Sequence, residues 1–261
     1  MISSKNNRRI KELRALHHRQ GNNPEGLFLV EGIRPVGEAL EAGADLITLC
    51  YAPELLRSSY ALNLVASHAG GIECLEVTPE VFESLADKDN PAGLMAVARL
   101  KPAVLADLDP VTCSWAVALV APQDPGNIGT ILRTMDAVGA HSLLLLDGGA
   151  DPTHPATVRA SMGAIFWHPV VRDSFENFTQ WAKSRAYHVV GTSAHAGQEI
   201  GQVTAYPRPL VLMLGSERQG LTSEQAAICD QMIGLPMHGR STSLNLAVAA
   251  GIFLYDILLK G

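Results

Sequence analysis

The sequence predicts an α/β fold in two parts: a larger domain built on a parallel sheet with helices on both faces, preceded by a smaller α/β domain. Two observations carry this. Along residues 111–261, continuous apolar runs of strand length alternate with helical patterns, which is how strands buried on both faces read. A second alternation fills residues 1–99, and a polar, proline-flanked stretch over residues 100–110, from Lys101-Pro102 to Asp109-Pro110, separates the two as a linker. With 261 residues, 47% of them apolar and 18% charged, the chain can bury a sizeable core in each part.

Taken in order, Ser3 to Arg19 reads as a helix and Gly21 to Gly26 (GNNPEG) as a turn cluster. Leu27 to Val30 is a short strand ending at Glu31-Gly32. Pro35 to Ala42 is helical and closed by Gly43. Leu46 to Tyr51 is a strand, and Leu55 to Ala69 a helix stopped by Gly70-Gly71. Thr78-Pro79-Glu80 opens a further helix with proline at its first position. Leu94 to Arg99 is the last strand of the first domain. In the second, strands are expected at Trp115–Val120, Ser142–Leu146, His188–Thr192, Leu210–Leu214 and Met232–Leu235. Helices are expected at Gly126–Val138, Thr157–Gly163, Ser174–Ser184, Ser223–Cys229 and Leu244–Leu259.

The formal net charge of −6 does not advertise a nucleic-acid partner, since phosphate binding runs on Lys and Arg. The charge is uneven, however. Residues 1–20 hold Lys5, Arg8, Arg9, Lys11, Arg14 and Arg19 against the single acid Glu12. Such a run is either a solvated N-terminal helix or a basic arm for RNA. Four scattered cysteines without a CxxC pair fit reduced thiols in a cytoplasmic protein, and the histidines lack HxxxH or HExxH spacing, so no metal is expected. The N-terminus has no apolar segment of a secretory signal, and the apolar stretch Leu246–Tyr255 is too short to span a bilayer.

Three polar segments hold the candidate chemistry: PQDPGNIGTILRT (Pro122–Thr134), LGSERQGL (Leu214–Leu221) and LPMHGRSTSLNLAVA (Leu235–Ala249). Each follows an expected strand, and ligands of parallel sheets bind at the carboxyl ends of strands. The first sets Gly129 and Arg133 one helical turn apart, with Asn127 near the helix start; alternatively Arg133 is exposed and paired to Asp136. The spacing is neither GxGxxG nor a Walker loop. The second offers Glu217, either a site group or a charge at a helix N-terminus. In the third, Ser241, Thr242 or Ser243 is the expected N-cap of the last helix, with Asn245 just inside it. Asp151 and His154, flanked by prolines, read as a loop rather than an acid–base pair. The last helix is more apolar than a surface helix needs, which points to the core or to a subunit interface.

Together, PGNIGTILRTMDAVGA, LGSERQGL and IGLPMHGRSTSLNLAVAAGIFLYDIL resemble the three motifs of the SpoU (TrmH-like) branch of the SPOUT RNA methyltransferases, over roughly Ala116 to Leu259. The segment FLVEGIRPVGEALEAGADL resembles that family's small L30e-like substrate-binding domain. The resemblance implies a deep trefoil knot in the C-terminal domain, a homodimer through the knotted domain and the last helix, and S-adenosylmethionine as methyl donor to a ribose 2′-hydroxyl. Ribosomal RNA is the favoured substrate over transfer RNA. A non-catalytic RNA-binding protein on the same fold is the rival reading, opposed by the intact set of motif residues.

By the same resemblance Arg133 is the central catalytic residue, as general base or as the group that positions the ribose; a guanidinium gives up its proton too reluctantly to be an easy base, which favours positioning. Asn127, Glu217, Ser243 and Asn245 complete the catalytic set, with Glu217 expected to pair with a basic group or RNA-facing donors. Thr192, Ser193, Gly215, Leu235, Met237, Leu244 and Asn245 match cofactor positions, largely through backbone. Lys5, Arg8, Arg9, Arg133, Arg218 and Arg240 are the expected RNA contacts.

Overall fold

The computed structural model describes residues 1–17, 26–68, 70–86 and 90–261; Arg19, most of the expected turn cluster and Ala69 lie outside them. The chain forms two compact units, Met1–Lys101 with Thr153–Phe166, and Pro102–Pro152 with Trp167–Gly261.

The first unit holds α1 (Arg8–His17), β1 (Leu27–Glu31), α2 (Ile33–Glu41), β2 (Asp45–Tyr51), α3 (Ser59–His68), β3 (Glu73–Glu76), α4 (Pro79–Glu83) and β4 (Leu94–Arg99). Its sheet runs β1-β4-β2-β3, with β4 antiparallel to both neighbours and β3 parallel to β2. The short edge strand β3 was not expected. Its sequence, ECLE, carries a carboxylate at each end and only two apolar positions, too little for a period-two signal. Among the described residues, the basic N-terminus is packed on the first unit. Ile10 and Leu13 of α1 are buried in the core with Leu29, Val81, Phe82 and Met95. Arg8 and Arg9 both pair with Glu12, and Arg9 also pairs with Glu73.

The second unit holds β5 (Trp115–Val120), α5 (Pro125–Val138) and β6 (Ser142–Leu146). The chain then supplies α6 (Pro155–Ser161) to the first unit, although residues 153–166 read in sequence as part of the second domain. It continues with β7 (Val170–Asp173), α7 (Phe175–Ser184), β8 (His188–Thr192), β9 (Gln198–Glu199), β10 (Leu210–Leu214), α8 (Ser223–Ala227), β11 (Gln231–Gly234) and α9 (Leu246–Lys260). The sheet order is β7-β6-β5-β10-β8-β11-β9, every pairing parallel. β5, β6 and β10 are buried along their whole length, as expected for a parallel sheet covered on both faces. One face packs Ala116, Ala118, Val120, Leu144 and Met213 under Phe178 and Trp181 of α7. The expected linker is partly core: Leu105 and Leu108 are buried in this same cluster.

A candidate active site at the carboxyl ends of the strands

The sheet order reverses direction between β5 and β10. From β5 the chain winds outward through β6 and β7, whereas β10 opens the opposite half. Loops at such a switch point diverge and leave a crevice at the carboxyl ends. The first two polar segments leave these two strands side by side, since Leu214 is in register with Leu119.

Each loop has a local reason for its shape. Asp124 caps α5, accepting from Gly126 N at 2.8 Å, and Pro125 occupies the first helical position. After β10, Gly220 N donates to Ser216 O at 2.9 Å and closes a tight turn. A Cβ on Gly215 would stand 2.0 Å from the Gly220 carbonyl carbon, so only glycine lets the two strands of this turn meet.

Glu217, carried by that turn, accepts from Gln123 N at 3.3 and 3.2 Å, from Asp124 N at 3.5 Å and from Asn127 Nδ2 at 3.3 Å. Among the described residues its partners are backbone amides and a carboxamide, not a basic side chain. These amides just precede α5, where a carboxylate is also favoured by the helix dipole. Asn127 is 7% exposed, and its Oδ1 accepts from Asn245 Nδ2 at 3.0 Å. Asn245 Oδ1 accepts in turn from Ala247 N at 2.9 Å and Val248 N at 3.3 Å. Asn245 is therefore the N-cap of α9, not an interior residue, and the expected caps Ser241, Thr242 and Ser243 lie in the preceding loop. With ψ of 143° it is extended, which aims its short side chain back at the first helical amides. Ser243 is exposed, its carbonyl accepting from Ser241 Oγ at 2.6 Å.

Arg133 lies on α5, a turn beyond buried Gly129, and is exposed. Asp136, the alternative partner from sequence, accepts instead from His168 Nε2 at 3.1 Å. The cofactor candidates sit on the neighbouring strand ends. Thr192 closes β8, its hydroxyl donating to Met213 O at 3.4 Å, and Ser193 N donates to Ile233 O at 3.0 Å. Gly215 follows β10 and Leu235 follows β11; Met237 is partly exposed and Leu244 is 39% exposed. Because β10, β8 and β11 are adjacent and parallel, these positions line one edge. His154, by contrast, caps α6 through Ala156 N at 3.1 Å. Of the RNA candidates, Lys5 is exposed, Arg8 and Arg9 are in ion pairs, and Arg218 and Arg240 are exposed. The part played by the backbone amides of Gln123 and Asp124 has no side-chain signature in the sequence, although Asp-Pro before a helix marks a capped start.

Residues 114–255 match the sequence model of the SpoU rRNA Methylase family. The chain belongs to that family. Residues 7–96 match a second model, the MRM3-like substrate binding domain. Among relatives of this SpoU methylase, the 23S rRNA (uridine(2479)-2'-O)-methyltransferase of Streptomyces viridochromogenes is 33% identical over 98% of this chain and 90% of its own. The 23S rRNA (guanosine(2553)-2'-O)-methyltransferase RlmP of Bacillus subtilis is 29% identical, covering 98% of both. The crystal structure of an AdoMet-bound rRNA methyltransferase from Sinorhizobium meliloti superposes with a TM-score of 0.88 at 33% identity, over 98% of this chain and 96% of that one.

Proposed function

We propose that this SpoU-family protein transfers a methyl group from S-adenosylmethionine to a ribose 2′-hydroxyl of ribosomal RNA. The observation that carries the reading is the relay Glu217–Asn127–Asn245, which joins all three polar segments at the switch point of a parallel sheet. The full-length similarity to 23S rRNA 2′-O-methyltransferases supports the substrate class.

The residues at the strand ends fit the cofactor. Partly exposed Leu235, Met237 and Leu244 beside the backbone of Thr192, Ser193 and Gly215 suit a ligand with a flat heterocycle, an aliphatic chain and a few polar groups. When bound, it supplies a methyl group on a positively charged sulfur. The chain's own task is to hold the ribose oxygen in line and ease loss of its proton. Arg133 is assigned to the ribose and its phosphate as a positioning cation, consistent with its exposure on α5. Asn127 and Asn245 hold the α5 and α9 starts in fixed register, Glu217 fixes the loop before α5, and Ser243 faces the substrate. Lys5, Arg218 and Arg240 contribute phosphate contacts, while Arg8 and Arg9 are largely committed to Glu12 and Glu73.

The same reading includes the trefoil knot, the L30e-like character of the first unit, a homodimer and a cytoplasmic location. A knot is supported by β10 lying between β5 and β8 while the chain after it returns beyond β8 to β11 and then to α9, which packs on α5. The dimer is supported by α9, which exposes Val248, Ile252, Tyr255 and Leu259 along one face. The test is mass-spectrometric mapping of ribose methylation in total RNA with and without the protein, alongside calorimetry with S-adenosylmethionine. New 2′-O-methylation of ribosomal RNA is the expected outcome; cofactor binding without any new RNA methylation would overturn it.

A further inference from the structure

The first unit contains a cavity of about 220 Å³ that the chemistry above does not use. It joins two distant stretches of sequence, the end of β1 with the start of α2, and Pro155, Val158 and Arg159 of α6 with Met162 after it. Its walls are apolar, from Leu29, Ile33, Pro35, Met95, Val158 and Met162, and its polar lining comes from Glu31, Arg34 and Arg159. The volume is below the ~300–1,000 Å³ of pockets for drug-sized ligands, so it admits one flat ring system rather than a whole cofactor.

Three features shape the cavity. Gly32 has φ of 108°, which turns the chain between β1 and α2 so that Glu31 and Arg34 both border the cavity. Gly163 (φ 103°) packs directly on α2, where a Cβ would stand 2.7 Å from Glu38 Cβ. Between α6 and that glycine, Met162 is held at φ of 53°, an uncommon conformation for a bulky side chain, and yet it is 36% exposed at the cavity. That conformation ends α6, Met162 N donating to Arg159 O at 3.3 Å, and it sets the methionine side chain at the cavity.

We propose that this cavity is a subsite for one unstacked nucleotide of the RNA substrate, with the base between the apolar walls and its phosphate at exposed Arg159 and Arg34, the latter 72% exposed beside Glu38 at 3.7 Å. The proposal rests on the RNA methyltransferase reading. Apolar and methionine surfaces accept the two faces of a base, a carboxylate accepts from its N–H groups, and guanidinium groups take the phosphate. Single-stranded RNA is read in this way, through splayed bases rather than the closed groove of a duplex.

The test uses the full chain with ¹³C-labelled methionine methyl groups. Met95 is 2% exposed at the cavity wall and Met162 lies at its mouth, so their resonances report occupancy at two depths. Titration with AMP, GMP, CMP and UMP at millimolar concentration is expected to shift both signals for at least one nucleotide, and Arg159→Ala to weaken that shift. No shift with any of the four, or an equal shift of Met95 with inorganic phosphate alone, overturns the subsite. In methyl transfer to protein-free ribosomal RNA, Met162→Ala and Arg159→Ala are expected to raise the KM for RNA roughly tenfold, with cofactor affinity unchanged. An unchanged KM overturns the role in substrate binding. A wild-type protein that shifts with nucleotides but methylates no RNA would sink the activity and leave the subsite standing.

Discussion

The side-chain amide of Asn245 donates to the carboxamide oxygen of Asn127 at 3.0 Å, across 118 positions of sequence. One residue thereby caps α9 and fixes the first turn of α5, so capping and site assembly can be separated by substitution. Asn245→Ala is expected to destabilise the protein by about 1 kcal/mol through loss of the cap. Asn245→Ser restores the cap but not the reach to Asn127. It should recover most of the stability in chemical denaturation while methyl transfer stays low. Full activity in the serine variant would show that the amide contact is dispensable.

Arg133 is exposed and outside the relay, so its removal has no structural reason to disturb the fold. Arg133→Ala is expected to retain cofactor binding by calorimetry and to lose roughly a hundredfold or more in kcat. Near-normal turnover on the true RNA would remove Arg133 from the site.

Gly215→Ala places a methyl group against the backbone of Gly220. Backbone cannot step aside as a side-chain end can, so the turn must open and carry Glu217 away from Gln123 and Asp124. Destabilisation of about 1–3 kcal/mol is expected with lowered activity. Thermal melts and initial rates equal to wild type would mean that the turn has room.

The pH dependence of the first unit should run through Glu73. The hydrogen bond from Arg9 holds this carboxyl below its ordinary value, ahead of the opposing effect of burial. A depressed folded value means the contribution is complete above the unfolded value near ~4.3 and is lost as pH falls through the folded one. The pair is about two-fifths exposed, so less than about 1 kcal/mol is at stake. Glu73→Gln should flatten that part of the acid limb in denaturation curves; an unaltered limb would show that the pair contributes nothing.

The four thiols should differ in reactivity. Burial pushes Cys50 up to about 12, and burial followed by Asp230 does the same to Cys229. Only the thiolate reacts, so native protein treated with maleimide at neutral pH should be modified first at partly exposed Cys74 and last at Cys50. Peptide mapping reads the order, and early modification of Cys50 would contradict its burial.

Much of the second unit was legible because β5, β6 and β10 are continuous apolar runs and α5 is bracketed by Asp124-Pro125 and Gly139. β7 and β9 carry no legible signal: VVRD has two apolar residues, and β9 is two residues long. The basic N-terminus was ambiguous because charge dominates its composition, whereas the core role rests on buried Ile10 and Leu13, with Ile2 and Leu16 packed against the same cluster.

By itself the sequence determined the fold class, the three polar segments, their strand-end positions and their family resemblance. These are properties of local pattern, readable wherever apolar runs and glycines fall. Only the tertiary structure decided that Glu217 holds backbone amides, that Asn245 rather than a serine caps α9, and that α6 belongs to the first unit. Each depends on which strand lies beside which and on hydrogen bonds a few ångströms long between residues up to 118 positions apart. Residue order along a chain does not specify such contacts until the sheet has formed.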